Sequence, residues 1–187
     1  MSDVIGAEAA PRAKGFAFLA WEGGQQVPTE AGRILAAWHA DLLGDKGARG
    51  ALRRARTVDE ALITLPMARL RRDLQVGPGL LADALGRIAI AVAIIAEDRP
   101  DADLGTTFAK PGGGAKPVSE QRVRLLLNTQ DVDSFLRQLR SNLAIVKNRA
   151  PVVAVAELVR LWHWPDRRAR VRKDLLSAYL EASLPAA

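Results

Sequence analysis

The chain is 187 residues long, with a formal net charge of +6, no cysteine, 49% hydrophobic residues and 5% aromatic ones. That length buries one real interior, as a single domain or as two small bundles sharing a core. Zero cysteine excludes a disulfide scaffold and every thiolate metal site, and with His39 and His163 as the only histidines no side-chain zinc site is expected.

Residues 1–30 read as a flexible N-terminal extension. Met1–Gly15 carries Asp3 and Glu8, and the apolar run Phe16–Trp21 is shorter than a secretory core needs. Ala31–Leu43 then places Ile34, Leu35, Trp38 and Leu42 on one face at helical spacing. Gly44–Gly47 breaks it, and a short helix is expected through Ala48–Arg56. Thr57-Val58-Asp59-Glu60 is a capping box, in which Thr57 accepts from the Glu60 backbone and Glu60 reaches back. The helix it opens stops near Leu65, because a residue before proline disfavours helical angles; Pro66 suits the first turn of the next, through Leu74.

Leu80–Glu97 reads as a long, mostly buried helix. Its most apolar stretch, Leu80–Ala96, holds Asp83 and Arg87 and falls short of the roughly 20 uncharged residues of a membrane span. Residues 98–118 combine Pro, Gly and Asp, and read as a mobile loop between two halves. Ser119 caps a helix to about Asn128. Asp131 or Asp133 starts the next, whose apolar stripe is Val132, Phe135, Leu136, Leu139, Leu143 and Val146. Pro151 opens another, to Trp162, and Asp166 caps a last helix to about Leu184. No alternation of period two survives beyond four residues. The expected fold is all-α, a compact bundle of about seven to nine helices. It forms one domain over 31–184, with halves 31–97 and 119–184 joined by loop 98–118. A soluble, cytoplasmic protein is expected.

Arginine supplies 21 of the 27 basic residues, and they are clustered. Residues 46–72 hold eight bases against Asp59 and Glu60, residues 122–149 six against two acids, and residues 160–173 six against Asp166. The intervening stretches are acidic: residues 1–45 have three bases and six acids, residues 73–121 four and seven. A base-composition bias of the genome would spread arginine evenly, whereas alternating blocks suit surfaces that meet a polyanion.

Arg49, Arg53 and Arg56 lie at i, i+4 and i+7, with Arg54 beside them and Leu52 and Ala55 opposite. Such a row of guanidinium groups matches successive phosphates along a strand; an ordinary solvated face is the plainer reading. Arg137, Arg140 and Lys147, with small Ala144 between, repeat the pattern, and Arg122 on the preceding helix extends it. The block Arg167, Arg168, Arg170, Arg172 and Lys173 points all round its helix, and suits protein or solvent equally well. Trp38, Trp162 and Trp164 are expected in the core rather than stacked on bases, and His39 and His163 as structural or surface residues. Asp98, Asp101 and Asp103 lack the glycine-centred calcium-loop pattern and read as a solvated loop. Gly112–Gly114 with Lys116 is followed by Pro117 and is a linker, not a phosphate loop. No nucleophile elbow, acid–base pair or cofactor fingerprint is present, so neither an enzyme nor a cofactor is expected.

Trp38-His39-Ala40-Asp41-Leu42, followed by Arg49-Gly50-Ala51-Leu52-Arg53-Arg54-Ala55, resembles the N-terminal signature of the small subunit of the type I-E CRISPR surveillance complex Cascade (the CasB family). Ser119-Glu120-Gln121-Arg122, Leu125-Leu126 and Phe135-Leu136-Arg137-Gln138-Leu139-Arg140 are similar to that family's "S-E-x-R … L-L … L-R-x-L-R" segment. Leu104-Gly105 and the tryptophan-bearing Pro151–Trp164 also fit, so the resemblance spans roughly Trp38 to Tyr179. Asn128-Thr129-Gln130 departs from it where a basic residue is common, and the first 30 residues have no counterpart.

The resemblance implies an all-helical, non-catalytic protein present as two copies along a crRNA-bearing filament, touching the filament backbone and the large subunit. It implies a basic surface that supports crRNA, target DNA and the displaced strand in the R-loop. Arg49, Arg53, Arg54, Arg56, Arg122, Arg137, Arg140 and Lys147 are the candidate nucleic-acid-binding residues. A stand-alone helical DNA-binding regulator and a basic protein-interaction scaffold are the alternatives. The first would need a recognition helix with base-reading Asn or Gln, and the basic helices carry mostly Arg and Lys.

Overall fold

Side-chain caps written into the sequence open half of the helices in the computed structural model, which describes residues 17–185 apart from Gly24 and His163. Thr29 accepts the Gly32 N–H at 3.1 Å and opens α1 (Glu30–Gly44). Asp45 accepts from Ala48 at 2.9 Å and opens α2 (Lys46–Arg54). The expected cap is present at α3 (Val58–Leu62): Glu60 N–H donates to Thr57 Oγ1, while Glu60 Oε2 reaches back one residue further than a capping box requires and accepts from the Arg56 N–H at 2.8 Å. Pro66 sits in the first turn of α4 (Leu65–Asp73). After α5 (Leu80–Val92) and α6 (Leu104–Ala109) come α7 (Glu120–Asn128), α8 (Val132–Ile145), α9 (Val152–Trp162) and α10 (Pro165–Ser183). Asp131, not Asp133, caps α8. Ser119 stands at the N-cap of α7 without a side-chain bond, and Trp164 rather than Asp166 is the N-cap residue of α10.

The architecture is helical, as expected, with ten helices among the described residues against an expected seven to nine. The extra count comes from 98–118. Asp103 accepts the Thr106 N–H at 2.7 Å and starts α6 inside the segment read as a mobile loop. Leu104, Thr107 and Phe108 are buried, and α6 packs along α10. The crossing is close enough that a Cβ on Gly105 would stand 2.7 Å from the Tyr179 nitrogen and 2.8 Å from the Leu175 oxygen. A six-residue helix lies below the length at which periodicity shows, so the flanking Pro, Gly and Asp dominated the reading.

Strands are few and short. β1 (Leu19–Glu22) and β2 (Gln25–Pro28) form an antiparallel pair within the stretch read as an extension. Phe18, just before it, is fully buried and donates its N–H to Glu157 Oε2 at 2.9 Å. Residues 1–16 of that expected extension, and the expectation for His163, lie outside the described residues. β3 (Glu97–Asp98) pairs in parallel with β4 (Arg149–Ala150), tying the end of the first half to the second.

The two halves share one core. α5 packs on α9, α3 and α8, and α1 also reaches α9. Leu85, Ile88, Ala89, Val92, Val155 and Val159 are at most 1% exposed. Trp38 and Trp162 are core residues, as expected: Trp38 Nε1 donates to the Pro66 carbonyl at 2.9 Å, and Trp162 stacks on Phe135 with centroids 4.1 Å apart. No helix among the described residues is long and apolar enough to cross a membrane.

Candidate nucleic-acid interface

Pairing separates the arginines into two populations. Arg33, Arg72, Arg87, Arg124, Arg149, Arg160 and Arg170 each form a salt bridge with a carboxylate. Arg53, Arg54, Arg56, Arg122, Arg137 and Arg140 form none among the described residues. These six are among the arginines without a salt bridge, and contacts between elements connect the two sequence blocks they come from. Arg140 on α8 donates from Nη2 to the Arg53 carbonyl at the end of α2, 3.1 Å across a sequence gap of 87 residues. Arg122 on α7 reaches Ser141 Oγ of α8 at 3.3 Å, and Arg137 bonds Ser134 Oγ at 2.7 Å. Arg53, Arg54, Arg56, Arg122 and Arg137 are exposed, and Arg140 is half-buried. Arg140 thus joins the α8 row to the C-terminal end of α2, and Arg122 joins α7 to α8.

Two candidates have other work. Arg49 turns inward: Nε donates to the Ala93 carbonyl at 3.0 Å, and Nη2 reaches Ile95 at 3.0 Å and Ile94 at 3.4 Å. These are carbonyls past the end of α5, which has no basic residue of its own in its last turn. A cation from elsewhere is a favourable partner for that end of a helix dipole. Burial and the neighbouring Arg53 charge lower the Arg49 guanidinium from its usual value. His39, 1% exposed, shares the task, with Nε2 at 3.1 Å from the Ile95 carbonyl. The expected i, i+4, i+7 row therefore does not stand on one helix face: Arg49 is engaged, α2 ends at Arg54, and Arg56 lies beyond the cap.

Lys147 also leaves its row. α8 ends at Ile145, Lys147 has φ of +59°, and its Nζ donates to the Gly113 carbonyl at 3.2 Å. Lys147 and Asn148 (φ +55°) make the left-handed turn that brings the chain into β4. At the other end of α8, Asp131 caps the helix, and its bonds to Ser134 hold the carboxyl below its usual range.

Asp98 and Asp103, read as solvated, are helix caps: Asp98 Oδ1 accepts the Val152 N–H at 2.9 Å, and Asp103 starts α6. No group of three or more His, Cys, Asp or Glu residues suited to a metal ion occurs among the described residues. Sequence reasoning left the α10 block undecided. Arg168 there donates to the Trp162 and Gln130 carbonyls, both at 2.7 Å, and the Arg172 guanidinium lies 5.4 Å from the Trp162 ring centre. The i, i+4 spacing of those two arginines was the available signal.

The family model for CRISPR-associated protein Cse2 matches residues 24–179. Among solved structures, a chain in the crystal structure of E. coli Cascade bound to a PAM-containing dsDNA target is similar, with 20% identity and a TM-score of 0.62. The match covers 80% of this chain and 95% of that one, and at such identity the likeness is one of fold. No curated protein matches the sequence.

Proposed function

The chain belongs to the CRISPR-associated protein Cse2 family, and on that footing we propose that it is a non-catalytic, sequence-independent nucleic-acid-binding subunit of the type I-E Cascade complex. Its partners in this reading are crRNA, target DNA, the filament backbone and large subunit, and a second copy of itself. What supports the reading is the bond from Arg140 to the Arg53 carbonyl, which joins two basic rows whose members Arg53, Arg54, Arg56, Arg122, Arg137 and Arg140 form no salt bridge among the described residues; we take these rows together as one ridge. A guanidinium already neutralised by a carboxylate gains little from a phosphate. One tethered only to a hydroxyl or a carbonyl keeps its charge for the ligand, and its position is already fixed.

Phosphates laid along the ridge release condensed counterions, which supplies affinity without reading bases. Sequence choice then rests with guide pairing, while the protein holds the duplex and the displaced strand by their backbones. Arg49 and Lys147 hold the scaffold in this account.

The test is the salt dependence of binding to fluorescein-labelled single-stranded DNA and RNA of random sequence. A log–log slope of about −0.7 per phosphate contacted is expected, the same for unrelated sequences. Replacing Arg53 and Arg140 together by Ala makes that slope shallower by about 1.4 while the circular dichroism spectrum stays helical. An unchanged slope removes the ridge from the interface, and enrichment of one motif in a selection assay replaces the reading with a regulator.

A further inference from the structure

We propose that the cleft between α7 and α10 is a second phosphate-binding site, taking a phosphodiester of a nucleic-acid strand on Arg172 and Lys173, with Arg124, already paired with Glu120, forming the facing wall. The choice of a phosphodiester over other anions rests on the function proposed above; the cleft's preference for an anion does not.

The cleft has a volume of about 260 Å³ and is lined by Arg124, Leu127, Asn128, Arg172, Lys173 and Leu176. At roughly 30 Å³ per water it has room for about nine waters, ample for a phosphate and part of its sugar. Three of the six lining residues are cations, and none is an acid. Another cavity, 310 Å³ between α1, α2 and α4, has the opposite character, with Asp41, Asp45 and Asp73 against Arg69.

Arg172 is the unusual member. Its guanidinium lies 5.4 Å from the Trp162 ring centre, and Trp162 is itself clamped against Phe135. Nε and Nη2 of Arg172 are buried yet have no hydrogen-bond partner among the described residues. Burying guanidinium donors unsatisfied is costly, and an anion entering the cleft relieves that cost with charge-assisted bonds. Lys173 is exposed beside it and makes no ion pair among the described residues. Arg124 is held in place through Nε, 2.6 Å from Glu120 Oε1. Asp174, the nearest acid in sequence on α10, is turned to Arg170 at 3.7 Å.

α7 separates this cleft from the ridge. Positions two apart on a helix face nearly opposite ways. Arg122 meets Ser141 of α8, while Arg124 lines the cleft against α10. The two sites sit on either side of one helix, so losses at each are separable.

The experiment uses the full chain and a labelled 12-nucleotide poly(dT). The double variant Arg124→Met, Lys173→Met changes two exposed side chains and leaves the Trp162 contact alone. Its salt slope is expected to be shallower than that of the unsubstituted protein by about 0.7, the contact of the unpaired Lys173, with thermal stability retained. In the unsubstituted protein, and in the ridge variant Arg53→Ala, Arg140→Ala, added poly(dT) shifts the Arg172 Nε–Hε resonance. An unchanged slope in the cleft variant, or an unmoved Arg172 resonance, overturns this site and leaves the proposed function standing. Failure of the unsubstituted protein to bind either DNA or RNA overturns the proposed function and this inference with it.

Discussion

Arg49 stands in an arginine-rich stretch of the chain, yet its removal is expected to destabilise the fold rather than weaken binding. Its guanidinium makes two well-formed bonds at 3.0 Å, to the Ala93 and Ile95 carbonyls, and a marginal one at 3.4 Å to Ile94. A charge-assisted bond of this kind contributes about 1.5 kcal/mol at the low end. Ile95 keeps His39 as a donor when Arg49 is gone, and truncating the half-buried Arg49 side chain makes room for water at the other carbonyls. The expected cost of Arg49→Ala is therefore about 2 kcal/mol, and for a chain of this size the melting temperature falls by roughly 4–8 °C. Lysine at this position carries the charge but not the fork, and restores less than half of the loss. Thermal melting reads the stability, and the salt slope of oligonucleotide binding, measured below the melting range, reads the contact. The expected pair is a lower melting temperature with an unchanged slope, the converse of Arg53→Ala. A variant that melts like the unsubstituted protein but loses slope would refute the reasoning, placing Arg49 on phosphate and leaving α5 to end without it.

His39 sets a pH dependence. Burial, partly opposed by the Ile95 carbonyl bond and the Asp98 charge, lowers its pKa below the ordinary 6.5. The unfolded chain then binds the proton first, so this contribution to stability is complete above pH 6.5 and is lost as the pH falls from there toward the lowered native value. Urea midpoints at pH 7.5 and 5.5 should differ less in His39→Gln than in the unsubstituted protein. Gly105→Ala puts a methyl against the α10 backbone at 2.7–2.8 Å and is expected to cost about 1–3 kcal/mol, read as a lower denaturation midpoint. Asn142 is fully buried with neither amide atom bonded among the described residues. Asn142→Leu should therefore raise the midpoint, by about 1 kcal/mol or more, and a lower midpoint would show that the amide is satisfied in solution.

Much of the fold was legible because its signals are local. Thr57 with Glu60, Asp131 before an apolar stripe, and Pro66 at a first turn each act within four residues, and the chain obeys them. The segment 98–118 defeated the same reasoning, since α6 is stabilised by what it touches rather than by its own pattern. Phe108 and Leu104 are buried against α10, some 70 residues later, and the Tyr179 hydroxyl reaches back to the Val118 carbonyl at 2.8 Å. Residues 17–28 are a similar case. Phe18 is placed by Glu157 of α9, and nothing near Phe18 in sequence announces that partner.

The candidate site was legible as charge but not as geometry, and the difference is instructive about arginine. Sequence spacing put Arg49, Arg53 and Arg56 in one row, which requires the helix to continue through Arg56 and every guanidinium to face water. Neither condition is local. The helix stops at Arg54 because Glu60 captures the Arg56 N–H for the next cap, and Arg49 is drawn inward because α5 ends without a basic residue in its last turn. The same long stem that lets arginine reach a phosphate lets it reach a buried carbonyl. What decides between the two uses is whether the fold leaves unpaired carbonyls within reach. Arg53, Arg122 and Arg137 form no salt bridge among the described residues, while the carbonyls past the end of α5 claim Arg49. The ridge is accordingly what remains of the arginine clusters once the scaffold has taken its share.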